Sequence, residues 1–127
     1  MAKPRRAARS ATRSSEPYCP DADEFIWLDF DPQAGREQRD RRPALVLSPR
    51  SYNRASGLCV VCPVTGQRKG YPFEVANAPG FAVGGVVLSD HVKSVSWPAR
   101  RAQFIAKAAG GVVREVRAKL KALLVMG

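Results

Sequence analysis

Between Phe25 and Ala106 the chain advances in short apolar stretches, most of them set off by glycine, proline or asparagine. That punctuation leaves no room for a long helix there and selects a fold of many short strands. Phe25 to Phe30 alternates with the strand period, placing Ile26, Leu28 and Phe30 on one face and Phe25, Trp27 and Asp29 on the other. Further strands are expected at Ala44 to Ser48, Leu58 to Val64, Pro72 to Ala76, Val86 to Leu88 and Val92 to Ser96, with a weaker one at Phe104 to Ala106. The end of the chain changes period. Val113, Val116, Leu120, Leu123 and Leu124 recur at three- and four-residue steps, the stripe of an amphipathic helix. Arg114, Arg117, Lys119 and Lys121 occupy its other face, which reads as solvated surface or as a nucleic-acid contact. The expected class is mainly β with a C-terminal helix: a small twisted sheet or barrel covered on one side.

A chain of 127 residues can bury one real core. Its first two dozen residues are rich in Arg, Ser, Ala and Pro and begin without the apolar segment of a secretory signal. The expected organisation is a disordered basic tail over 1–23 and a single domain over 24–127. No apolar run reaches membrane-spanning length. Lys and Arg outnumber Asp and Glu by 21 to 11, for a net charge of +10, and such a field favours nucleic acid or an acidic protein. Cys59 and Cys62 spell C-V-V-C, which invites a zinc or redox reading. In a strand, however, residues three apart point to opposite faces, so two small core residues are expected. A reducing, cytoplasmic compartment fits free thiols best.

Several chemistries are excluded. The chain has one histidine and no HExxH, phosphate loop, dinucleotide fingerprint or nucleophile elbow. Its acids are scattered rather than clustered as a pair of magnesium ions would need. An enzyme built from this set works without metal or cofactor, on Glu, Arg, Thr and the lone His91. RNA cleavage by its own 2′-hydroxyl suits such a set, because it needs a base, positive charge on the phosphorane oxygens and an acid for the leaving oxygen. The segment GREQRDRRPALVLSP, residues 35–49, packs four arginines and two acids into eight positions before turning apolar. It reads as a charged loop or hairpin leading into a strand, and composition does not choose among its charges.

The ordered series IWLDFDPQAGREQ, RRPALVLSP, PVTGQRKGYPFEV and GVVLSDHVKSVSW resembles the MazF/PemK family of bacterial toxin–antitoxin ribonucleases. The similarity runs from about Phe25 to Trp97 with a compatible terminal helix, nearly all of the chain except the tail. It implies a small SH3-like β-barrel of the CcdB/PemK type with flanking helices, acting as a homodimer. It also implies sequence-specific cleavage of single-stranded RNA, leaving a cyclic phosphate and a 5′-hydroxyl, and neutralisation by an acidic MazE-like antitoxin. By position, Arg42 is implied as the main active-site arginine, Thr65 as its partner at the scissile phosphate and Glu37 as the acid–base carboxylate. Trp27, Asn53, Gln67, Lys69 and His91 fall where relatives line the RNA groove; neither metal nor cofactor is implied.

Each of these residues also has a structural reading. Arg42 can be a strand-edge charge, Glu37 a partner for Arg36, Arg39 or Arg41, Thr65 a strand end, Trp27 a core residue and His91 a structural one. Two positions depart from the family pattern: Asp40 stands where a glycine is common, and Gly66 where some relatives carry a hydroxyl. Two other classes stay open at this level. One is a CcdB-like toxin that binds DNA gyrase without catalysis; the other is an RNA-binding module that has lost cleavage, for which Asp40 is the hint.

Overall fold

The computed structural model describes residues 18–30 and 40–125, and in it seven strands form one antiparallel sheet. They are β1 (Glu24–Asp29), β2 (Arg41–Val46), β3 (Leu58–Thr65), β4 (Glu74–Ala76), β5 (Val86–Leu88), β6 (Lys93–Ser96) and β7 (Gln103–Lys107). Helix α1 (Arg50–Ser56) links β2 to β3, a 3-10 turn (Ser89–His91) separates β5 from β6, and α2 (Gly110–Leu123) follows β7.

The strand order is β4-β5-β3-β2-β1-β7, with β6 paired to β3 as well. Among the described residues β4 and β7 end this path and do not pair with each other, so the expected barrel is an open sheet. Strand β3 organises the sheet. One of its edges takes β2, and the other takes β6 along Leu58 to Val61 and then β5 at Val64 and Thr65. Pairing on that second edge advances six residues from Val87 to Lys93 against three on β3, and the 3-10 turn absorbs the excess. Pro63, which has no N–H to give, falls within the stretch that neither β5 nor β6 pairs.

Both faces of the sheet are buried at its centre. Phe25, Leu45, Cys62, Val64, Val75, Val87, Val116 and Leu120 form one cluster, and Ile26, Leu28, Ala44, Val46, Cys59, Val61 and Val95 the other. Cys59 and Cys62 therefore belong to opposite faces, as strand alternation requires. Burial of each large side chain in such clusters contributes about 1.5–3 kcal/mol. Helix α2 covers the first cluster with Val113, Val116 and Leu120, whereas Leu123 and Leu124, at its frayed end, stay exposed.

One expectation is corrected at the start of the domain. Residues 18–23, assigned from composition to the tail, pack into the fold. Cys19 and Pro20 are buried, and the Tyr18 hydroxyl donates to the Glu24 carboxylate. Asp21 explains why: its Oδ1 accepts from the Arg50 N–H at 2.9 Å, capping α1, whose own N-cap residue, Pro49, has no side-chain donor or acceptor. Helix α1 itself had no sequence signature, being too short and polar to show an apolar stripe. Residues 1–17 lie outside the described residues. No described helix is long and apolar enough to cross a membrane.

Candidate active site

The charged run ends inside the sheet rather than before it, because Arg41 and Arg42 are the first residues of β2. Strand alternation then sends the two guanidiniums to opposite faces. Arg41 stands across from Asp29 in the β1–β2 register, and its Nη1 reaches Asp29 Oδ1 at 2.9 Å. Arg101 adds Nε to Asp29 Oδ2 at 2.7 Å. The Arg101 and Arg41 hydrogen bonds hold the nearly buried Asp29 carboxyl below the usual carboxylate range, against its desolvation. This triad pins the turn before β7 to the central strands and engages Arg41.

Arg42 points the other way. The β2–β3 register pairs Ala44 with Pro63 and Leu45 with Cys62, and carried two residues further it brings Arg42 opposite Thr65. Together they border an open cleft of about 500 Å³ whose walls include Asp40, Gly66, Gln67 and Gly84. Thr65 Oγ1 accepts the Gln67 N–H at 3.2 Å, which leaves the hydroxyl proton to donate outward. Gly85 fixes the Thr65 backbone. It adopts φ of 73°, and a Cβ there would lie 2.2 Å from the Thr65 carbonyl oxygen. Arg42 carries a partner of its own: Asp40 Oδ1 accepts from its Nε at 3.0 Å and its Nη2 at 2.8 Å.

A second cleft, about 200 Å³, shares Thr65 and Gln67 with the first and continues over the same face past Leu88 and Glu74. Lys69, Tyr71, Asp90 and His91 complete it. The loop that carries Lys69 is held by Glu74, whose carboxylate accepts the N–H of Lys69 at 3.0 Å and of Gly70 at 2.9 Å. His91 stands on the 3-10 turn, 3.8 Å from Asp90. The two clefts thus offer a guanidinium at one end, the shared Thr65 hydroxyl between them, and an ammonium, an imidazole and an exposed aromatic, Tyr71, at the other. Such a surface suits a chain that alternates phosphates with flat bases.

Of the residues selected from sequence, the fold gathers Arg42, Thr65, Gln67, Lys69 and His91 along these clefts. It does not bring Trp27 there: Trp27 shares its face with Phe25, opposite Arg42, and is partly exposed across from Pro43. Glu37 lies outside the described residues. Asn53 is a correction. It is completely buried on α1, its amide donating to the carbonyls of Pro20 and Ser48 at 2.9 and 3.0 Å and its Oδ1 accepting from the Ser48 hydroxyl at 2.6 Å. A side chain so committed ties three segments together and has no free donor for a base. Sequence reasoning passed over Tyr71, Asp90 and Glu74, although the first and last belong to the quoted KGYPFEV stretch. Asp40 carries no positive φ, so the turn demands no glycine there; the described non-glycine residues that do are Asp23, Arg101 and Val125.

A small antiparallel β fold with an arginine and a threonine lining one polar cleft has the groups that a phosphodiester-binding protein needs. Over residues 22–124 the sequence matches the family described as PemK-like, MazF-like toxin of type II toxin–antitoxin system, and the chain belongs to that family. It is 46% identical over 107 residues to the endoribonuclease toxin MazF of Escherichia coli strain K12, covering 84% of this chain and 96% of that one. It is 35% identical over 109 residues to the endoribonuclease PemK of Escherichia coli, covering 78% of each. Among solved structures it superposes with TM-score 0.82 and 54% identity on a MazE–MazF crystal structure from Deinococcus radiodurans, covering 87% of this chain and all of the other.

Proposed function

We propose that the chain is the endoribonuclease toxin of a toxin–antitoxin pair and cleaves single-stranded RNA at defined sequences without a metal ion. The observation that carries this reading is that Arg42 and Thr65 line one cleft, where the β2–β3 register extended by two residues sets them opposite each other. Arg42 supplies positive charge to the phosphate as negative charge builds on its oxygens, and Thr65 adds a hydroxyl hydrogen bond to the same group. The ribose 2′-hydroxyl is the nucleophile. Glu37 is assigned as the base that removes its proton, an assignment that rests on its place in the family motif. Attack on phosphorus expels the 5′-oxygen, which takes a proton from water, and the products are a 2′,3′-cyclic phosphate and a 5′-hydroxyl. Gln67, Lys69 and His91 hold flanking nucleotides in the second cleft.

A homodimer in the cytoplasm, and an acidic antitoxin segment lying over the same positive clefts, complete the proposal. The match to MazF in a MazE–MazF structure and the net charge of +10 support that partnership. The test is direct. Purified protein is incubated with mixed-sequence single-stranded RNA in EDTA, and the new ends are mapped by mass spectrometry. Cyclic phosphate ends that disappear with Arg42→Ala and drop at least about tenfold with Thr65→Val are expected. A requirement for magnesium would overturn the mechanism, and intact RNA the function.

A further inference from the structure

We propose that Asp40 is a built-in competitor for the substrate phosphate: in the free protein its carboxylate occupies an edge of Arg42 that must be released when RNA enters. The inference rests on the active-site reading above and adds to it a residue that sets substrate affinity.

Strand geometry imposes the pairing. The Phe30 N–H donates to the Asp40 carbonyl at 2.7 Å, which extends the β1–β2 ladder beyond the Leu28–Arg42 and Asp29–Arg41 partners. Residues two apart on one strand share a face, so the Asp40 and Arg42 side chains stand side by side. Phe30, across from Asp40, shares that face too. Its ring centroid lies 5.8 Å from the Arg42 guanidinium carbon and 5.1 Å from Lys93 Nζ. The guanidinium is therefore bounded by an aromatic ring and held along one side by a carboxylate.

The held side is chemically informative. Nε and Nη2 form one of the two parallel-donor edges with which arginine meets two oxygens of a carboxylate or phosphate. Here both donors converge on the single oxygen Asp40 Oδ1, at 3.0 and 2.8 Å. A phosphate approaching that edge exchanges one anion for another and is repelled by the carboxylate it displaces. The neighbouring Arg41 also borders the cleft but offers no substitute, because its Nη1 is engaged by Asp29 and its Nη2 by the Arg101 carbonyl, both at 2.9 Å. The Asp40 pair is open to solvent, with 40% and 44% of the two side chains exposed. Its strength is that of a surface pair, a brake of about two- to fivefold rather than a block.

The test compares the wild type with Asp40→Asn and Asp40→Glu on a short single-stranded RNA, with thermal melts confirming equal folding. KM is expected to fall about two- to fivefold in Asp40→Asn, with kcat moving less, and to stay near the wild-type value in Asp40→Glu, which keeps the charge. The advantage of Asp40→Asn should shrink as salt rises. The same variants are titrated by fluorescence anisotropy with an uncleavable oligonucleotide carrying 2′-deoxyribose at the scissile position. An unchanged or raised KM in Asp40→Asn with a cleaving wild type overturns the competitor while leaving the enzyme intact, and so does a larger loss in kcat. A wild type that cleaves no RNA overturns the functional reading instead. In that case a tighter anisotropy Kd for Asp40→Asn still supports the competition for phosphate, and an unchanged Kd ends it.

Discussion

Asp29 and Arg41 face each other in the β1–β2 register and share an ion pair of 2.9 Å, while Arg42, one residue further on, projects to the opposite face of the sheet. The arginine proposed for catalysis is thereby set apart from a neighbour that ties the fold together. Arg42→Ala is expected to reduce RNA cleavage at least about 100-fold with the melting temperature nearly unchanged. Arg41→Ala is expected to lower the melting temperature by about 3–6 °C while the folded fraction keeps cleavage to within a few-fold. Calorimetry beside a gel-based cleavage assay separates the two, and a reversed pattern would refute the division.

Asn53 makes a contrast between burial and recognition that can be measured. It receives the Trp97 indole N–H on its backbone carbonyl at 2.8 Å, in addition to its amide contacts with Pro20 and Ser48. Asn53→Ala keeps the Trp97 bond but takes the amide from the Pro20 and Ser48 carbonyls and from the Ser48 hydroxyl, and is expected to cost about 2–4 kcal/mol in urea unfolding. RNA affinity, measured where the variant is still folded, should stay within twofold of the wild type. A large loss of affinity at full folding would return Asn53 to the RNA groove.

The acid limb of stability follows from two carboxylates. The side chains of Arg101 and Arg41 lower the Asp29 pKa, and the Arg50 backbone N–H lowers that of Asp21, both from an ordinary value of 3.8. A carboxylate with a depressed folded pKa contributes its full stabilisation above the unfolded pKa and loses it as pH falls below that value towards the folded one. Stability should therefore be level at neutral pH and decline below about pH 4. Asp29→Asn should be less stable at pH 7 by about 1–3 kcal/mol and show a shallower decline in acid, as read from urea midpoints across pH. An unchanged acid slope would rule out Asp29 as its source.

Burial pushes the Cys59 and Cys62 thiols up to about 12. At pH 8 the native protein should resist iodoacetamide at both positions, and alkylation should follow unfolding in urea. Mass spectrometry of tryptic peptides reports it. Prompt labelling of native Cys59 would contradict the packing of its cluster.

What the sequence made legible was the part that periodicity encodes. Alternation in Phe25 to Phe30 and the stripe from Val113 predicted β1 and α2, because one-sided burial writes itself into spacing. Helix α1 escaped, since seven residues anchored by Asp21 and Asn53 depend on partners some thirty positions upstream. The tail boundary failed for the same reason: Cys19 and Pro20 look like linker until the groove that buries them is assembled. Arg42, Thr65 and Lys69 were legible through an ordered motif. Trp27 was drawn to the groove by the family resemblance, although the alternation already visible in β1 placed it on the face of Phe25. That Asp40 and Arg42 share a face was hidden by the assumption that the charged run was all loop.

Gly85 extends the site into the protein's genetics. Because any side chain there would collide with the Thr65 backbone, this position is coupled to the site although it contributes no functional group of its own. In a culture that survives by inactivating the toxin, escape would be found at Gly85 as readily as at Arg42. Such a lesion would disarm the protein while sparing every group proposed to touch RNA.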